Sequence, residues 1–272
     1  MSRTSSTTAR TRTGESAQVT VGLALTAALI GAWLLLHVYA VFFHAFGWWS
    51  LLAAPVMVAA MCWLNVGLFI LAHDCMHGSL APGRPWLNAI IGRVALLLYA
   101  GFSFDRLRPK HFDHHRHAGT AKDPDYHADH PRHFWRWYLA FFKEYFSLRE
   151  FAILAAATLF YLLVLRAPLA NLLLFWALPA ILSSLQLFLF GTYLPHREDE
   201  QPFSDRHRAR SNDYGWTVSL LTCFHFGYHQ EHHRAPGTPW WRLPQERRES
   251  RRPSRTEEER TLAGEGQGLL GS

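Results

Sequence analysis

Cysteine is scarce in this 272-residue chain: only Cys62, Cys75 and Cys223 are present. Three scattered thiols form no C-x-x-C pair, which excludes a disulfide-stapled fold and a thiolate zinc site. Charge is missing over long tracts. Residues 16–73 hold no Asp, Glu, Lys or Arg, and residues 151–196 hold one, Arg166. A soluble surface needs charge at far shorter intervals, so both tracts read as lying in lipid. The mean hydropathy of −0.04 conceals this, because the remaining segments are strongly polar. That unevenness also excludes a coiled coil and a disordered chain. No repeat of fixed period is present, and no flavin, nicotinamide or haem-binding domain is evident. Gly266-x-Gly268-x-x-Gly271 matches a dinucleotide fingerprint by letters, but no strand precedes it, and it reads as tail.

The apolar tracts divide into four expected spans, roughly Val19–Phe43, Trp48–Ala72, Phe151–Leu165 and Leu169–Leu194, the last interrupted by Pro179. About 25 residues rising ~1.5 Å each cross a ~30 Å hydrocarbon core with some tilt. The third span is short, and the aromatic stretch Phe134–Phe146 is a candidate for its beginning. Trp86–Phe104 is long enough to cross but carries Asn88, Gly92 and Arg93. An Arg near mid-bilayer costs at least ~2.5–3.5 kcal/mol. A crossing there would also put the flanking histidines on opposite sides, so it reads as re-entrant or interfacial. With four spans, the loops opposite the termini hold one of the 27 basic residues, Arg166. The positive-inside rule then places the termini and the His-rich segments in the cytoplasm. The net charge of +6 flanks the spans, which fits a membrane face rather than nucleic acid. The domain reading is a disordered tail over 1–18, one membrane domain over 19–244, and a disordered tail over 245–272. The expected fold class is all-α integral membrane, with four transmembrane helices, interfacial or re-entrant helices and a cytoplasmic His-rich cap.

Histidine is abundant, with 17 residues concentrated in short clusters. They are His73-Asp-Cys-Met-His77, His111-Phe-Asp-His114-His115-Arg-His117, the lone His196, and His225-Phe-Gly-Tyr-His229-Gln-Glu-His232-His233. Residues at i, i+3 and i+4 share a helix face. His73 with His77, His111 with His114 and His115, and His229 with His232 and His233 can therefore each point at a metal. Each cluster lies just beyond an apolar stretch, where helix ends can form a cage of imidazoles. Imidazole suits iron, zinc, copper and nickel. Nine candidate ligands are too many for one tetrahedral zinc, which takes about four, and suit two metals. The sequence holds no Glu-x-x-His and no His-Glu-x-x-His, which disfavours a carboxylate-bridged site and a zincin. A metal transporter would set its ligands within broken helices near mid-bilayer, and a bis-histidine haem carrier would need few histidines. Neither explains three boxes flanking the spans.

Other residues take supporting readings. Asp74, Asp113, Asp123, Asp125 and Glu231 are candidates to hold the far nitrogen of a ligating imidazole. Their alternative is a hydrated surface acid. His117 and His225 fit the helical spacing and are candidates for the same outer layer. Cys75 projects off the His73/His77 face and reads as a packed thiol. His37 reads as an interior polar contact and His44 as an interfacial residue. His127, His130, His133 and His207 read as solvated surface.

The boxes on a four-span scaffold resemble the membrane fatty acid desaturase/hydroxylase superfamily. More closely, His-Asp-x-Met-His-Gly at 73–78, His-Phe-Asp-His-His-Arg-His at 111–117, Phe-Gly-Thr-Tyr-Leu-Pro-His-Arg at 190–197, Phe-His-Phe-Gly-Tyr-His at 224–229 and Pro-Trp-Trp-x-Leu-Pro at 239–244 resemble the bacterial β-carotene ketolase family. The resemblance covers residues 20–244. It departs at Gln230, where the family reads His in His-His-Glu-His-His, and at Thr192, where superfamily members place an Asn that reaches a metal through water. Gln230 projects off the His229/His232/His233 face and is expected in the outer layer with Thr192. The resemblance implies two iron ions, O2 as co-substrate, and electrons from a separate donor such as ferredoxin and its reductase. It implies oxidation of a β-ionone ring at C4, by two hydroxylations and loss of water from the geminal diol. The lipophilic carotenoid would come from the bilayer of a bacterial cytoplasmic membrane. Phe102, Phe104, Tyr193, Phe226 and Tyr228 are candidates to line its path, against a plain packing role. The alternative is a carotenoid hydroxylase or a fatty acyl desaturase or hydroxylase on the same scaffold.

Overall fold

A computed structural model describes residues 3–251, with side chains from residue 14. Among these residues the fold is all helical. The first helix, α1, is Arg3–Val38 and closes in a π turn, Tyr39–Phe43. The last, α10, is Leu243–Ser250. Backbone expected to be irregular at residues 3–18 and 245–250 is therefore helical. The rest of both expected tails, residues 1–2 and 252–272, lies outside the described residues.

Among the described residues, three helices are long and apolar enough to cross a membrane: Gly14–Phe43 within α1 and its π turn, α2 (Ser50–His77) and α7 (Leu169–His196). Helix α2 is the axis of the molecule and packs against α1, α3, α4, α7 and α8. That placement explains its apolarity on all sides: about two-thirds of its apolar window is buried, against about a third for α7. The outward residues stay apolar too, with Leu51 and Leu52 80% and 77% exposed, a surface suited to lipid rather than water.

Two further pairs reach span length only if counted across a sharp bend. Helices α3 (Pro85–Ala100) and α4 (Phe104–His117) meet at 98°, and α5 (Phe134–Tyr145) and α6 (Leu148–Val164) at 79°. The chain turns after α3 at Gly101, whose φ of +71° lies in the left-handed region that glycine adopts without strain. The bend carries α4 away from α3 and sets the second histidine box across the end of α2. Arg93, costly if alone in lipid, is paired across this bend to Asp105 by two bonds of 3.0 and 2.9 Å. The aromatic stretch Phe134–Phe146 is not the start of α6. The Ser147/Glu150 capping box begins a new helix there.

Pro179 does not interrupt α7. A proline clashes with the carbonyl four residues earlier. Here Phe175 lies in a π turn, Leu173–Ala177, ahead of Pro179, and Gly191 in another, Phe188–Tyr193, ahead of Pro195. Each wider turn shifts the offending carbonyl, so one helix carries Thr192 and His196 to the site. Beyond it come α8 (Trp216–Cys223) and α9 (His229–Arg234).

Candidate metal centre

Each box is delivered by a helix end. Gly78, at φ +74°, terminates α2 directly after His77, and the Ser79 and Gly78 N–H groups close onto the Asp74 and Cys75 carbonyls. His73 and His77 thus occupy the last turns. The third box depends on a strained corner. Phe224 and His225 both adopt positive φ, +49° and +63°, between α8 and α9. Non-glycine residues pay roughly 1–2 kcal/mol each for this conformation. It swings His229, His232 and His233 back over α4.

The nine box histidines converge as two groups. His73, His77, His111, His115 and His232 form one, and His114, His196, His229 and His233 the other. Within each group one ring nitrogen per residue lies within 4.8 Å of every other. The closest Nε2–Nε2 separations are 2.7 Å (His77–His111), 3.1 Å (His115–His232), 2.9 Å (His196–His229), 3.0 Å (His229–His233) and 3.2 Å (His114–His233). Ligands at right angles around a metal with bonds of about 2.1 Å stand about 3.0 Å apart, against about 3.4 Å for a tetrahedron.

Hydrogen bonding among four neutral rings cannot account for the second group. His114 donates Nδ1–H to Asp123 at 2.9 Å, and His196 donates Nδ1–H to the Arg208 carbonyl at 2.8 Å. In their neutral forms both then offer only a lone pair at Nε2. His229 and His233 would have to be donors to them, which leaves two N–H groups facing each other across 3.0 Å. A cation accepts all four lone pairs. In the first group, both ring nitrogens of the buried His73 have no hydrogen-bond partner. An orphaned buried imidazole is costly, and a cation satisfies it. The donor sets of both groups therefore fit a metal ion.

Burial, followed by the proximity of the other imidazoles, holds His111, His229, His232 and His233 well below the ordinary imidazole range, in the neutral form a metal requires. His114 goes the other way. Burial opposes its charge, but Asp125 and Asp123 outweigh burial and raise it. Asp125, itself pushed up by burial, receives the Tyr145 hydroxyl and lies 3.7 Å from His114 Nδ1.

The supporting residues divide. Asp123 backs His114, and Asp74 lies 3.7 Å from His73 Nδ1 while accepting the Trp240 backbone N–H at 2.9 Å. Asp113 instead pairs with Arg116 on the surface. Glu231 points away from the imidazoles. Burial opposes its charge, yet the Ser211 hydroxyl and Arg247 hold it below the carboxylate range and tie α9 to α10. Gln230 binds Ser204 and Asp205 rather than a histidine. His117 joins neither group, and His225 stacks on Tyr228. Cys75 is buried in the core. His37 bonds to Tyr161, as an interior polar contact should. His44, expected at the interface, is buried among Phe46, Trp49 and Phe175 and bonded to Ser50. His133 is exposed, but His127, His130 and His207 are half-buried, and the His207 ring lies 6.0 Å from that of His233.

A cavity of about 570 Å³ ends against both groups, touching His73, His111, His114 and His229. Its walls are mostly apolar. Phe102, Phe226 and Thr192 line it, whereas Phe104, Tyr193 and Tyr228 do not. Phe104 fills the space beside Gly92, Tyr193 bonds to the Arg132 carbonyl, and Tyr228 to the Tyr214 carbonyl. Sequence reasoning missed the wall supplied by α5. Tyr138, Phe141, Phe142 and Tyr145 recur at i, i+3, i+4 and i+7, a face that was legible in the aromatic stretch.

An all-helical apolar scaffold holding two imidazole groups beside an apolar cavity is suited to metal-dependent chemistry on a lipophilic molecule. Residues 46–151 and 144–258 match the family model for fatty acid desaturase. The chain is 49% identical over 242 residues to a "Beta-carotene ketolase" of Paracoccus sp. (strain PC1), covering 86% of this chain and 96% of that protein. A second Paracoccus "Beta-carotene ketolase" (strain N81106 / MBIC 01143) is 49% identical over 230 residues, covering 83% and 91%. One from Haematococcus lacustris is 42% identical over 209 residues, covering 75% and 65%. The chain belongs to the fatty acid desaturase family and, within it, to the β-carotene ketolases.

Proposed function

We infer that this chain is a membrane oxidoreductase that converts the C4 methylene of a β-ionone ring to a ketone, taking β-carotene towards echinenone and canthaxanthin. The observation that carries this reading is the apolar cavity ending against histidines of both groups. The named relatives support it. The cavity's wall on α7 runs from Ala177 to Thr192, about 22 Å at ~1.5 Å per residue, enough for a ring and much of a polyene.

The nine histidines would hold two irons, one per group. When bound, these supply the activation of O2. The chain's own residues do the rest. Phe102 and Phe226 pack the ring, and the apolar walls exclude water. Asp123 and the Arg208 carbonyl fix the rings of His114 and His196, so that Nε2 points inward. The Tyr145 hydroxyl donates a hydrogen bond to Asp125 Oδ1, which keeps both polar groups satisfied at the cavity edge. Two hydroxylations at one carbon give a geminal diol, which loses water. Electrons would come from a separate donor such as ferredoxin with its reductase.

We further propose four crossings, by α1, α2, α6 and α7, with α3 re-entrant. The termini and histidine boxes then face the cytoplasm of a bacterial inner membrane. The paucity of basic residues in the loops opposite the termini supports this sidedness.

The test is pigment analysis of a β-carotene-producing bacterium expressing the chain, with and without His115→Ala. Ketocarotenoid is expected with the intact chain and none with the variant. Hydroxylated carotenoid alone would replace the ketolase reading with the hydroxylase one. Ketocarotenoid from the variant would remove His115 from the ligand set.

A further inference from the structure

Resting on the oxygenase reading above, we infer that the electrons consumed here enter through the five-histidine group, from an acidic one-electron carrier docked on Arg108, Phe112 and Arg116. Each hydroxylation balances as R2CH2 + O2 + 2 e− + 2 H+ → R2CHOH + H2O. Ketone formation therefore takes four electrons in two rounds. The three cysteines are dispersed and buried, so they hold no iron–sulfur relay among the described residues. The reductant must dock.

The two histidine groups differ in access. All four members of the second are buried, whereas His77, His111 and His115 of the first are half-buried. His111 lines the substrate cavity, but His77 and His115 do not. The accessibility of His77 and His115 is therefore not owed to the cavity. Electron tunnelling decays steeply with distance, so these two rings mark the shortest path from outside.

What covers that path is an aromatic ring flanked by cations. Phe112 stands edge-on to His77, with ring centroids 5.5 Å apart. The exposed Arg108 guanidinium lies 5.2 Å from the Phe112 centroid. Its Nε donates to the Met76 carbonyl at 3.1 Å, which anchors it at the end of α2 without a carboxylate. Among the described residues no carboxylate oxygen lies within 4.0 Å of Arg108. Arg116 continues the i, i+4, i+8 row on α4, and its partner Asp113 is itself half-exposed. Cations around a ring steer an acidic partner and give it an apolar point of contact. A patch this small suits the weak, transient encounters of electron transfer.

The test uses the iron-loaded, detergent-solubilised full chain, with a reduced [2Fe–2S] ferredoxin of net negative charge as probe. Two quantities are read for the parent chain, the Arg108→Glu/Arg116→Glu double variant and Arg108→Lys. One is the anaerobic rate of ferredoxin oxidation and its salt dependence. The other is product from a single turnover after dithionite reduction. In the double variant the ferredoxin rate, relative to dithionite-driven product, is expected to fall on the order of tenfold and to lose most of its salt dependence. Arg108→Lys, which keeps the charge, is expected to retain most of the rate. An unchanged rate and salt slope overturns the docking site and leaves the two arginines to anionic lipid. Ferredoxin and dithionite values falling in parallel overturns it in favour of a structural role. Absence of product from the dithionite-reduced parent chain would instead overturn the oxygenase reading itself.

Discussion

His114 is the residue that most clearly sets the four-histidine group apart from the five-histidine one. Two carboxylates face its Nδ1, Asp123 at 2.9 Å and Asp125 at 3.7 Å. No other box histidine has such support. Removing a carboxylate behind a ligating imidazole typically costs 10–100-fold in metal affinity. Asp123→Asn is therefore expected to empty the four-histidine group first, with iron per chain falling from two towards one by elemental analysis. Two irons retained would show that Asp123 has no part in holding His114. Protonation gives a second prediction at this scale. His111, His229, His232 and His233 are held below the ordinary imidazole value of 6.5, chiefly by burial. As pH falls through that value, the unfolded chain takes up protons that the folded cluster refuses. Stability therefore falls with falling pH below about 6.5. His114, raised by its carboxylates, and Asp125, raised by burial, oppose this as two groups against four. The melting temperature of the solubilised protein is expected to drop between pH 7.5 and 5.5; a flat or rising profile would contradict this sign.

Among the elements, the α3–α4 corner decides whether the second box meets the first. Gly92 makes the corner possible, because a Cβ there would stand 2.3 Å from the buried Phe104 ring at the head of α4. Gly92→Ala must displace that ring or the helix behind it, a strain of about 1–3 kcal/mol. Less iron and less ketocarotenoid are expected at equal membrane insertion. Iron and pigment at parent levels would show that Phe104 yields without moving α4. The π turns of α7 belong to the same scale. Proline suggested a break in this span, but widened turns absorb Pro179 and Pro195, and the helix reaches His196 intact. The third span shows the opposite outcome, since the aromatic stretch that looked like its beginning is a separate helix at 79°. Hydropathy registers apolarity but not direction, so a bend between two apolar helices leaves no mark in it.

For the molecule as a whole, orientation is the property most directly open to measurement. All three native cysteines are buried, so a single introduced thiol reports its own position. Arg166→Cys lies in the short connector between α6 and α7, on the side opposite the histidine boxes in the proposed four-span arrangement. It is expected to react with a membrane-impermeant maleimide in intact cells whose outer membrane has been permeabilised. Arg206→Cys is expected to react only after lysis. The reverse pattern would invert the proposed sidedness.

The sequence by itself determined the helical class, the apolar tracts and the nine histidines that converge. Each of these follows from local rules: runs without charge, and i, i+3, i+4 spacing that survives on any helix. It also marked Asp123 and Asp74, because they lie close in the chain to the imidazoles they face. Only the tertiary structure divided the nine into five and four, since partners such as His115 and His232, or His114 and His233, lie more than a hundred residues apart. It also decided that Asp113, Glu231 and Gln230 face away from the histidines, and that Tyr138 and Tyr145 wall the cavity while Tyr193 and Tyr228 do not. Spacing along one helix fixes which side chains share a face. What that face meets depends on the crossing angles and corners of other helices, and these are set by packing across the whole chain.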